Sequence, residues 1–324
     1  MKKLSMSTKR ELSLVVAIVI LIAIFSVIEP IYLSRNNLIN ILDQTVINGV
    51  IALGISFTIL TGGIDLSVGS TFALVIVIVG DLLVSGVNPL IAIVIGMFLG
   101  FVLGAINGIL VAKLKLQPFI ATLGTMSIYR GIAYVYTGGW PILNIPSNFR
   151  GMFNNDIIID IPFSIIYLLI FAAFTQILLK YTKLGTYIYG VGGNEEVTYL
   201  SGVNIDRVKI YAYGISGIGA ALAGMVLLAR LGSGEPATGQ GYELNAIAAA
   251  AIGGISMAGG KGNMVGTLLG AILLSCLRVG LVVAGVDSFW QFIATGAIII
   301  IAAYFEVLQN SLGKLRFSKK KVVS

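Results

Sequence analysis

The segment Leu90–Ala112, LIAIVIGMFLGFVLGAINGILVA, decides the fold class because it is long, apolar and free of charged side chains. About 20 consecutive apolar residues are enough for an α-helix to cross the hydrocarbon core of a bilayer. The segment lacks the alternation of apolar and polar residues that is typical of a transmembrane β-strand. It therefore predicts a helix that spans a membrane.

Comparable apolar runs recur along the whole chain of 324 residues. Ten of them are predicted as spans, of which the second, third and eighth are short. They cover Leu12–Ile28, Val46–Leu60, Ser70–Val84, Leu90–Ala112, Phe119–Thr137, Phe163–Leu179, Ile210–Arg230, Leu244–Ala258, Met264–Gly285 and Phe289–Leu308. Backbone groups in lipid must be satisfied within the segment, so the prediction is an all-α integral membrane protein with about ten transmembrane helices.

The composition excludes a soluble globular protein. Hydrophobic residues make up 57% and charged residues only 11% of the sequence, whereas soluble domains carry about 25% charged residues. The single cysteine, Cys276, excludes an internal disulfide and a cysteine-based metal site. The absence of histidine removes the commonest metal ligand and the usual proton relay of ion-coupled pumps. No metal site is therefore expected.

The distribution of the net charge of +7 predicts the orientation of the chain. Basic residues cluster in two tails, residues 1–11 and 310–324, and in the loops that share their side when ten spans are counted. Because cytoplasmic loops are enriched in Lys and Arg, both termini are predicted to be cytoplasmic. The sequence leaves no folded domain that presents a basic face, so membrane lipid is an expected partner and nucleic acid is not.

The sequence carries no catalytic motif of a hydrolase, kinase or metalloprotease. The patterns GxxxxGK[ST], HExxH and GxSxG are all absent. The largest predicted loops, residues 138–162 outside and 180–209 inside, are too short to hold an ATPase or a soluble receptor domain. The chain is therefore not expected to be an enzyme, and its energy source is expected on another chain.

The stretch TGGIDLSVGS, residues 61–70, lies between two apolar runs and has two interpretations. In the first, Gly62 or Gly63 ends one helix and Asp65 caps the next. In the second, Asp65 belongs to a transport path or a gate, because broken helices and intramembrane acids mark such places. Both interpretations predict a helix break here.

The predicted inside loop contains two short amphipathic pieces within residues 183–203. They are broken at Gly192-Gly193, and Asn194 is positioned to cap the second piece. One interpretation is a solvated loop. The other is a docking helix that inserts into a cytoplasmic partner and transmits its motion.

The stretch GYELNAIAAAAIGG, residues 241–254, predicts a helix of small residues that packs closely against its neighbours. Glu243 and Asn245 at its start are then expected to face an aqueous vestibule. Glycines at four-residue spacing predict close packing elsewhere, with the lining of a polar conduit as the alternative. These glycines are Gly96, Gly100, Gly104 and Gly108 in one run and Gly262, Gly266 and Gly270 in another.

Together these motifs resemble those of one family. TGGIDLSVGS, PFIATLGT with Arg130-Gly131, GGNEEVTYLSGV, GYELNAIAAAAIGG and GGKGNMVGTLLGA occur in order from about Asn36 to Glu306. In order and spacing they are similar to the membrane subunits of bacterial ATP-binding cassette (ABC) importers for monosaccharides, the ribose-type permeases. The segment Ile255–Ala258 departs from the pattern, since many relatives have Thr-Ser-Leu there.

The resemblance implies a single transmembrane permease domain over residues 1–324 with the fold of a type II ABC importer. Such permeases pair as dimers, so a second permease subunit, most simply a homodimer, is expected. A cytoplasmic ABC ATPase and an extracytoplasmic sugar-binding protein are the further expected partners. No cofactor is expected on this chain, because ATP and Mg²⁺ belong to the partner ATPase.

The resemblance also assigns candidate residues. The ATPase-coupling loop is expected to contain Gly185, Gly192, Gly193, Asn194, Glu195, Glu196, Ser201 and Gly202. The candidate translocation path or gate contains Asp65, Ser67, Asn107, Arg130, Glu243 and Asn245. Arg35 and Arg150 are candidates for docking of the binding protein on a different ground, namely their charge and their predicted position outside.

The expected function is import of a monosaccharide, with ribose leading, across a bacterial cell membrane by alternating access. Xylose, galactose, a nucleoside or a furanosyl signalling molecule remain open as substrates. An ion-gradient-driven sugar carrier is the alternative, and it predicts paired intramembrane acids, for which Asp65 and Asp81 are the candidates in the first half. A scaffold or receptor is a third possibility, although it gives no reason for the glycine-broken motifs.

Overall fold

The computed structural model describes residues 6–155 and 162–287, together with positions 289–291, 293–294, 296–297, 300 and 304. In this part of the chain the regular structure is helical, apart from isolated β-bridge positions such as the pair Ile142 and Gly234. A 3₁₀ turn at Pro30–Leu33 follows the first helix. The α-helices are α1 (Met6–Ile28), α2 (Arg35–Leu60), α3 (Val68–Val84), α4 (Pro89–Ala112), α5 (Pro118–Thr137), α6 (Ser147–Asn154), α7 (Ser164–Tyr181), α8 (Lys183–Gly193), α9 (Glu195–Leu200), α10 (Ile205–Leu231), α11 (Tyr242–Gly253) and α12 (Met264–Val283).

Six of these helices are long and apolar enough to cross a membrane. They are α1, α2, α4, α7, α10 and α12. Their outer faces carry exposed aliphatic and aromatic side chains such as Val27, Val94 and Phe98, as expected of a surface that faces lipid rather than water. The prediction of an all-α, multi-pass membrane protein is therefore confirmed.

Two predicted segments extend beyond what the structure describes. The predicted span Phe289–Leu308 lies partly outside the described residues, and the predicted tail at 310–324 lies wholly outside them. Residues 156–161 of the predicted outer loop and residues 1–5 of the predicted N-terminal tail are also outside.

Helix α10 is the central helix of the bundle, and nearly all of its apolar stretch is buried. It packs against α2, α3 and α4. At its crossing with α4 the two backbones touch, because a Cβ atom on Gly104 would overlap the carbonyl oxygen of Tyr213. Gly100 and Gly217 face each other in the same way. The close packing predicted from the glycine spacing of α4 is confirmed.

The glycines of α12 serve the same purpose against α11. A Cβ on Gly266 would overlap the carbonyl oxygen of Gly253, and one on Gly270 would overlap that of Ala249. On its other side α12 packs against α1, and Tyr32 of the 3₁₀ turn after α1 donates a hydrogen bond to the carbonyl of Cys276 at 2.9 Å. Helix α1 therefore joins the bundle at its periphery.

Helix α11 is shorter than the sequence predicts. It has 12 residues, or about 18 Å at 1.5 Å per residue, against about 30 Å for the hydrocarbon core. Gly254 follows it with φ of +104° and closes the helix through a bond from its N–H to the carbonyl of Ala251. The predicted span Leu244–Ala258 is therefore wrong in length, because its last residues form a loop.

Helices α3 and α11 meet at their N-termini. Gly69, in the first turn of α3, lies so close to Gly239 and to the Glu243 carboxylate that a Cβ atom would overlap both. Each of these helices follows a long membrane helix, α2 or α10, after a break in the chain. This meeting point of two short helices positions most of the candidate path residues.

Candidate translocation and coupling sites

The break between α2 and α3 is closed by glycine, as the first interpretation of the motif predicts. Gly62 has φ of +79°, a left-handed conformation that glycine adopts at low cost. Its N–H donates to the carbonyl of Ile59, and the N–H of Gly63 donates to that of Thr58, both at 2.9 Å. These bonds satisfy carbonyls at the end of α2.

Asp65 is the centre of a buried polar cluster. One carboxylate oxygen accepts hydrogen bonds from the backbone N–H and the hydroxyl of Ser67, at 3.0 and 2.7 Å. The other accepts from the Ser216 hydroxyl at 2.9 Å. The Asn107 amide lies 3.4 Å from Asp65 and donates to Ser67 at 2.7 Å. The cluster thereby joins the start of α3 to α4 and α10.

The burial of this cluster shows what it does in the structure. Asp65, Ser67, Asn107 and Ser216 are each at most 1% exposed. A buried carboxylate is costly unless it is hydrogen-bonded, and four neutral donors supply these bonds here. The N-cap residue of α3 is Ser67, and no side chain caps this helix. The Asp65 carboxylate accepts from the N–H of Ser67, before the first helical residue, so the predicted capping of α3 by Asp65 is wrong. A role of Asp65, Ser67 and Asn107 in the translocation path stays a prediction.

Arg130 binds the second chain break to the start of α3. Its guanidinium donates to the carbonyls of Pro236 and Thr238, at 2.6 and 2.5 Å, and to that of Gly69 at 3.1 Å. Arg130 belongs to α5, so one side chain connects three segments of the bundle. The planar fork of a guanidinium suits such an array of carbonyl acceptors.

Glu243 lies at the same place but does not face open water. It is 8% exposed, and one carboxylate oxygen accepts from the N–H of Gly241 at 3.2 Å. A carboxylate in the first turn of a helix is stabilised by the positive end of the helix dipole. Asn245, two residues further along the chain, is partly exposed. The predicted vestibule position is therefore wrong for Glu243, because α3 covers it.

The predicted coupling loop is two helices that meet at Asn194. The side chain of Asn194 accepts a bond from the N–H of Val197 at 2.9 Å and caps α9, which confirms the predicted cap. Glu195 pairs with Lys209 at 2.7 Å, and Glu196 joins it in the first turn of α9. After α9, Gly202 turns the chain with φ of +82°.

Helix α9 presents apolar side chains outward. Tyr199 is 68% and Leu200 is 76% exposed. Ser201, which follows, donates to the carbonyl of Val197 at 2.9 Å. An exposed apolar surface bordered by the charged Glu195 and Glu196 is typical of a protein contact.

Helix α8 needs glycine at two of the predicted positions. A Cβ on Gly185 would overlap the carbonyl of Leu179, where α8 folds back on α7, and one on Gly192 would overlap the carbonyl of Leu60. A Cβ on Gly193, by contrast, would have no atom within 4 Å. Within α8 the sequence reasoning missed Tyr189, which donates to the carbonyl of Gly262 at 2.7 Å. It also missed Ser216.

The two candidate docking arginines lie near the end of α10. Arg35 lines a pocket of ≈ 510 Å³ with Asp43, Asn154 and Arg230 among its other walls. Arg150 donates to the carbonyl of Ala229 at 3.2 Å. Asn154 donates to the same carbonyl at 2.7 Å. The structure thus brings both arginines to one end of the bundle, and their docking role stays a prediction.

Comparison with known proteins identifies the family. Residues 37–303 match the family model described as branched-chain amino acid transport system / permease component. The chain belongs to this permease family. The permease is 43% identical to the ribose import permease protein of Bacillus subtilis over 288 residues, which are 89% of each chain.

Other relatives are also sugar permeases. The D-allose transport system permease protein of Escherichia coli is 38% identical over 291 residues, 89% of each chain. The galactose/methyl galactoside import permease protein of the same organism is 36% identical over 338 residues, 99% of this chain and 98% of that one. No solved structure gives a significant match.

These relatives narrow the family description. The family model names amino acid transport, whereas the relatives with near full-length similarity are named for sugars. Near full-length identity is the more specific observation, so the chain is a ribose-type ABC importer permease. It is a multi-pass protein of a bacterial cell membrane.

Proposed function

We propose that this permease imports ribose as the membrane subunit of an ABC importer. The observation that carries the proposal is 43% identity to a ribose import permease over 89% of both chains. The aligned length is large enough to include both broken helices and the α8–α9 loop. Identity to the allose and galactose permeases is lower, at 38% and 36%, which favours ribose over those sugars.

In this proposal the permease has ten transmembrane helices, both termini in the cytoplasm and one domain over residues 1–324. A second copy of the chain completes the pathway. A cytoplasmic ABC ATPase, which holds ATP and Mg²⁺, docks on the exposed face of α9. An extracytoplasmic sugar-binding protein docks at the opposite end, near Arg35 and Arg150. The permease itself catalyses no reaction.

The meeting point of α3 and α11 suits alternating access. Arg130 holds α5, the start of α3 and the loop before α11 together through three carbonyl contacts. A movement that separates these segments must exchange those bonds for others, so the bundle has a defined closed arrangement. We assign Arg130, Glu243 and Asn245 to the gate. In this proposal the gate opens when ATP binding closes the ATPase subunits.

In the part of the chain that the structure describes, the two acids named for the ion-driven alternative do not form a pair. Asp81 lies near the far end of α3 and accepts a bond from the Tyr136 hydroxyl at 2.5 Å. It lies 13 residues after Val68, the first residue of α3, or about 20 Å along the helix axis, and Asp65 precedes that helix. These two carboxylates are therefore too far apart to bind one ion or proton together.

Purification followed by reconstitution tests the proposed function. The permease is extracted in mild detergent from its native membrane, and the chains that co-purify are identified by mass spectrometry. We expect an ABC ATPase and a sugar-binding protein, and ATP-dependent uptake of radiolabelled ribose in proteoliposomes. Allose and galactose serve as competing sugars. Ribose uptake that needs an ion gradient and no ATPase would contradict the proposal.

A further inference from the structure

The backbones of three segments meet at one point on the side of α8. The N–H of Gly260 donates to the carbonyl of Leu60, the last residue of α2, at 2.9 Å. A Cβ on Gly192, near the end of α8, would overlap that same carbonyl and lie 2.5 Å from the nitrogen of Gly260. We call Gly192, Gly259 and Gly260, with Leu60, the glycine junction.

Backbone atoms make the contacts of the glycine junction from both sides. A Cβ on Gly259 would lie 3.0 Å from the Cα of Gly192, and one on Gly260 would lie 2.8 Å from the nitrogen of Gly193. Both residues have positive φ, +86° and +70°. With no side chain between the segments, a displacement of α8 is not absorbed by a change of rotamer. It is passed to Leu60 and Gly260 directly.

A side-chain hydrogen bond reinforces the contact one turn earlier in α8. The Tyr189 hydroxyl donates to the carbonyl of Gly262 at 2.7 Å. A tyrosine hydroxyl is protonated at neutral pH, and burial raises the pKa of Tyr189 further, so the hydroxyl remains a donor. The loop of Gly259 to Gly262 is therefore held to α8 at two positions.

The junction lies beside both places where a short helix follows a long membrane helix. We call these two helix pairs, α2–α3 and α10–α11, the broken elements. Leu60 ends α2, and the chain then passes through Gly62 to Asp65. Gly259 and Gly260 belong to the loop that follows α11, whose first turn carries Glu243. One contact thus connects α8 to the α2–α3 break and to α11.

We propose that the glycine junction transmits the movement of the coupling segment α8–α9 to both broken elements. Gly192 and Tyr189 are the positioning residues of this link, and neither one needs to touch the sugar. The inference rests on the proposed function, since it presumes that an ATPase moves α9. It adds the position inside the permease at which that movement reaches both broken elements.

Two helical glycines provide a matched test. Gly192→Ala forces the junction apart, whereas Gly124→Ala in α5, outside the coupling segment, adds the same methyl group where no atom lies within 4 Å. Each variant is assembled with its ATPase and binding protein in proteoliposomes. ATP hydrolysis and radiolabelled ribose uptake are then measured on the same vesicles. The readout is ribose imported per ATP hydrolysed, which a mere loss of assembled complex leaves unchanged.

We expect the ratio for Gly192→Ala to fall about tenfold, within the range by which residues along a coupling route alter coupling. Gly124→Ala is expected to keep the wild-type ratio. Tyr189→Phe, which removes one hydrogen bond and little volume, is expected to lower the ratio about threefold. If Gly192→Ala does not assemble, Tyr189→Phe decides the question.

The outcomes separate the inference from the proposed function. A wild-type ratio in Tyr189→Phe, or equal ratios in the two alanine variants, overturns the inference and leaves the import function standing. Failure of the wild-type complex to import ribose with ATP overturns the proposed function and the inference with it.

Discussion

At the scale of single residues, buried polar side chains connect the helices of the bundle. Asp65 binds Ser67, Asn107 and Ser216 from three different helices or helix ends. The net stabilisation by any one such bond is small, but an unsatisfied buried group costs about 1–3 kcal/mol. The importance of the cluster for stability therefore shows mainly when one member is removed and its buried partners lose their hydrogen bonds.

We predict that Asp65→Ala destabilises the permease by about 2–4 kcal/mol, because Ser216 and Asn107 lose an acceptor at once. Ser216→Ala alone is expected to cost about 1–2 kcal/mol. In the double variant the two costs should be less than additive, since the residues share a bond. Thermal unfolding in detergent measures all three variants. Strict additivity would show that the two residues act independently.

At the scale of elements, helix ends and helix crossings decide the architecture. Asn194 separates α8 from α9 through its cap, and Gly104 sets the distance between α4 and α10. In both cases a single residue determines how two helices are placed. Substitutions at these positions therefore have effects that depend on geometry more than on polarity.

Gly193→Pro is predicted to abolish uptake while leaving membrane insertion intact. Proline removes a backbone N–H at the end of α8 and disfavours the helical conformation of the preceding Gly192. Deletion of Asn194–Glu196, which removes the cap of α9 and the Glu195–Lys209 pair, is expected to do the same. Transport assays and size-exclusion chromatography of a fluorescent fusion test the two properties separately. Normal uptake in either variant would remove the coupling role from this loop.

Gly104→Ala is predicted to destabilise the fold by about 1–3 kcal/mol, the usual cost of an overpacked contact. Its Cβ would press on the carbonyl of Tyr213 in α10. Gly124→Ala in α5 is the matched control, because a Cβ there would have no atom within 4 Å. The control is expected to unfold at or slightly above the wild-type temperature, since alanine favours the helix. Equal melting temperatures for the two variants would argue against the tight crossing.

The sequence predicted the long helices α4, α10 and α12 well, but not the lengths of α2 and α11. Apolar runs identify spans because the hydrocarbon core demands them. The predicted span Val46–Leu60 is too short, since α2 already begins at Arg35 and its first turns contain polar residues that hydropathy does not count as membrane-spanning. The alanine-rich run continues chemically through Ile255 to Ala258, so hydropathy alone sees no end at Gly253. The helix stops there because Gly254 adopts a left-handed conformation. The sequence alone does not show which of its many glycines adopt that conformation.

The candidate site was predicted only in part, for a similar reason. Asp65 and Ser67 stand in one motif and were found together. Asn107 is 42 residues away from Asp65 and Ser216 is 151 residues away, so their meeting depends on how α4 and α10 pack. Ser216 lies in a glycine-rich stretch of α10, which predicts close packing but does not say what the serine contacts.

At the scale of the whole molecule, the two ends of the bundle differ in kind. One end carries α9 with its exposed Tyr199 and Leu200, suited to a mostly apolar contact. The other carries Arg35 and Arg150 around the end of α10. In the proposed function these ends meet the ATPase and the binding protein.

Replacing Arg35 and Arg150 together by Gln is predicted to raise, about three- to tenfold, the concentration of loaded binding protein that gives half-maximal uptake. Charges at the rim of an interface act mainly on the rate of association, so the difference should shrink at high salt. Lys113→Gln with Lys115→Gln makes the same charge change on the side of α9 and serves as the control. A lower maximal rate with unchanged half-saturation would contradict a docking role.

The seam between α4 and α10 also limits how the protein can evolve. Gly100 and Gly217 each occupy the space in which the other would place a Cβ atom. In most protein cores a larger residue is accommodated when a neighbour becomes smaller. Here the neighbour is already glycine, so this route of compensation is closed. We therefore expect suppressors of a change at either position to arise by shifts of whole helices rather than by a partner exchange.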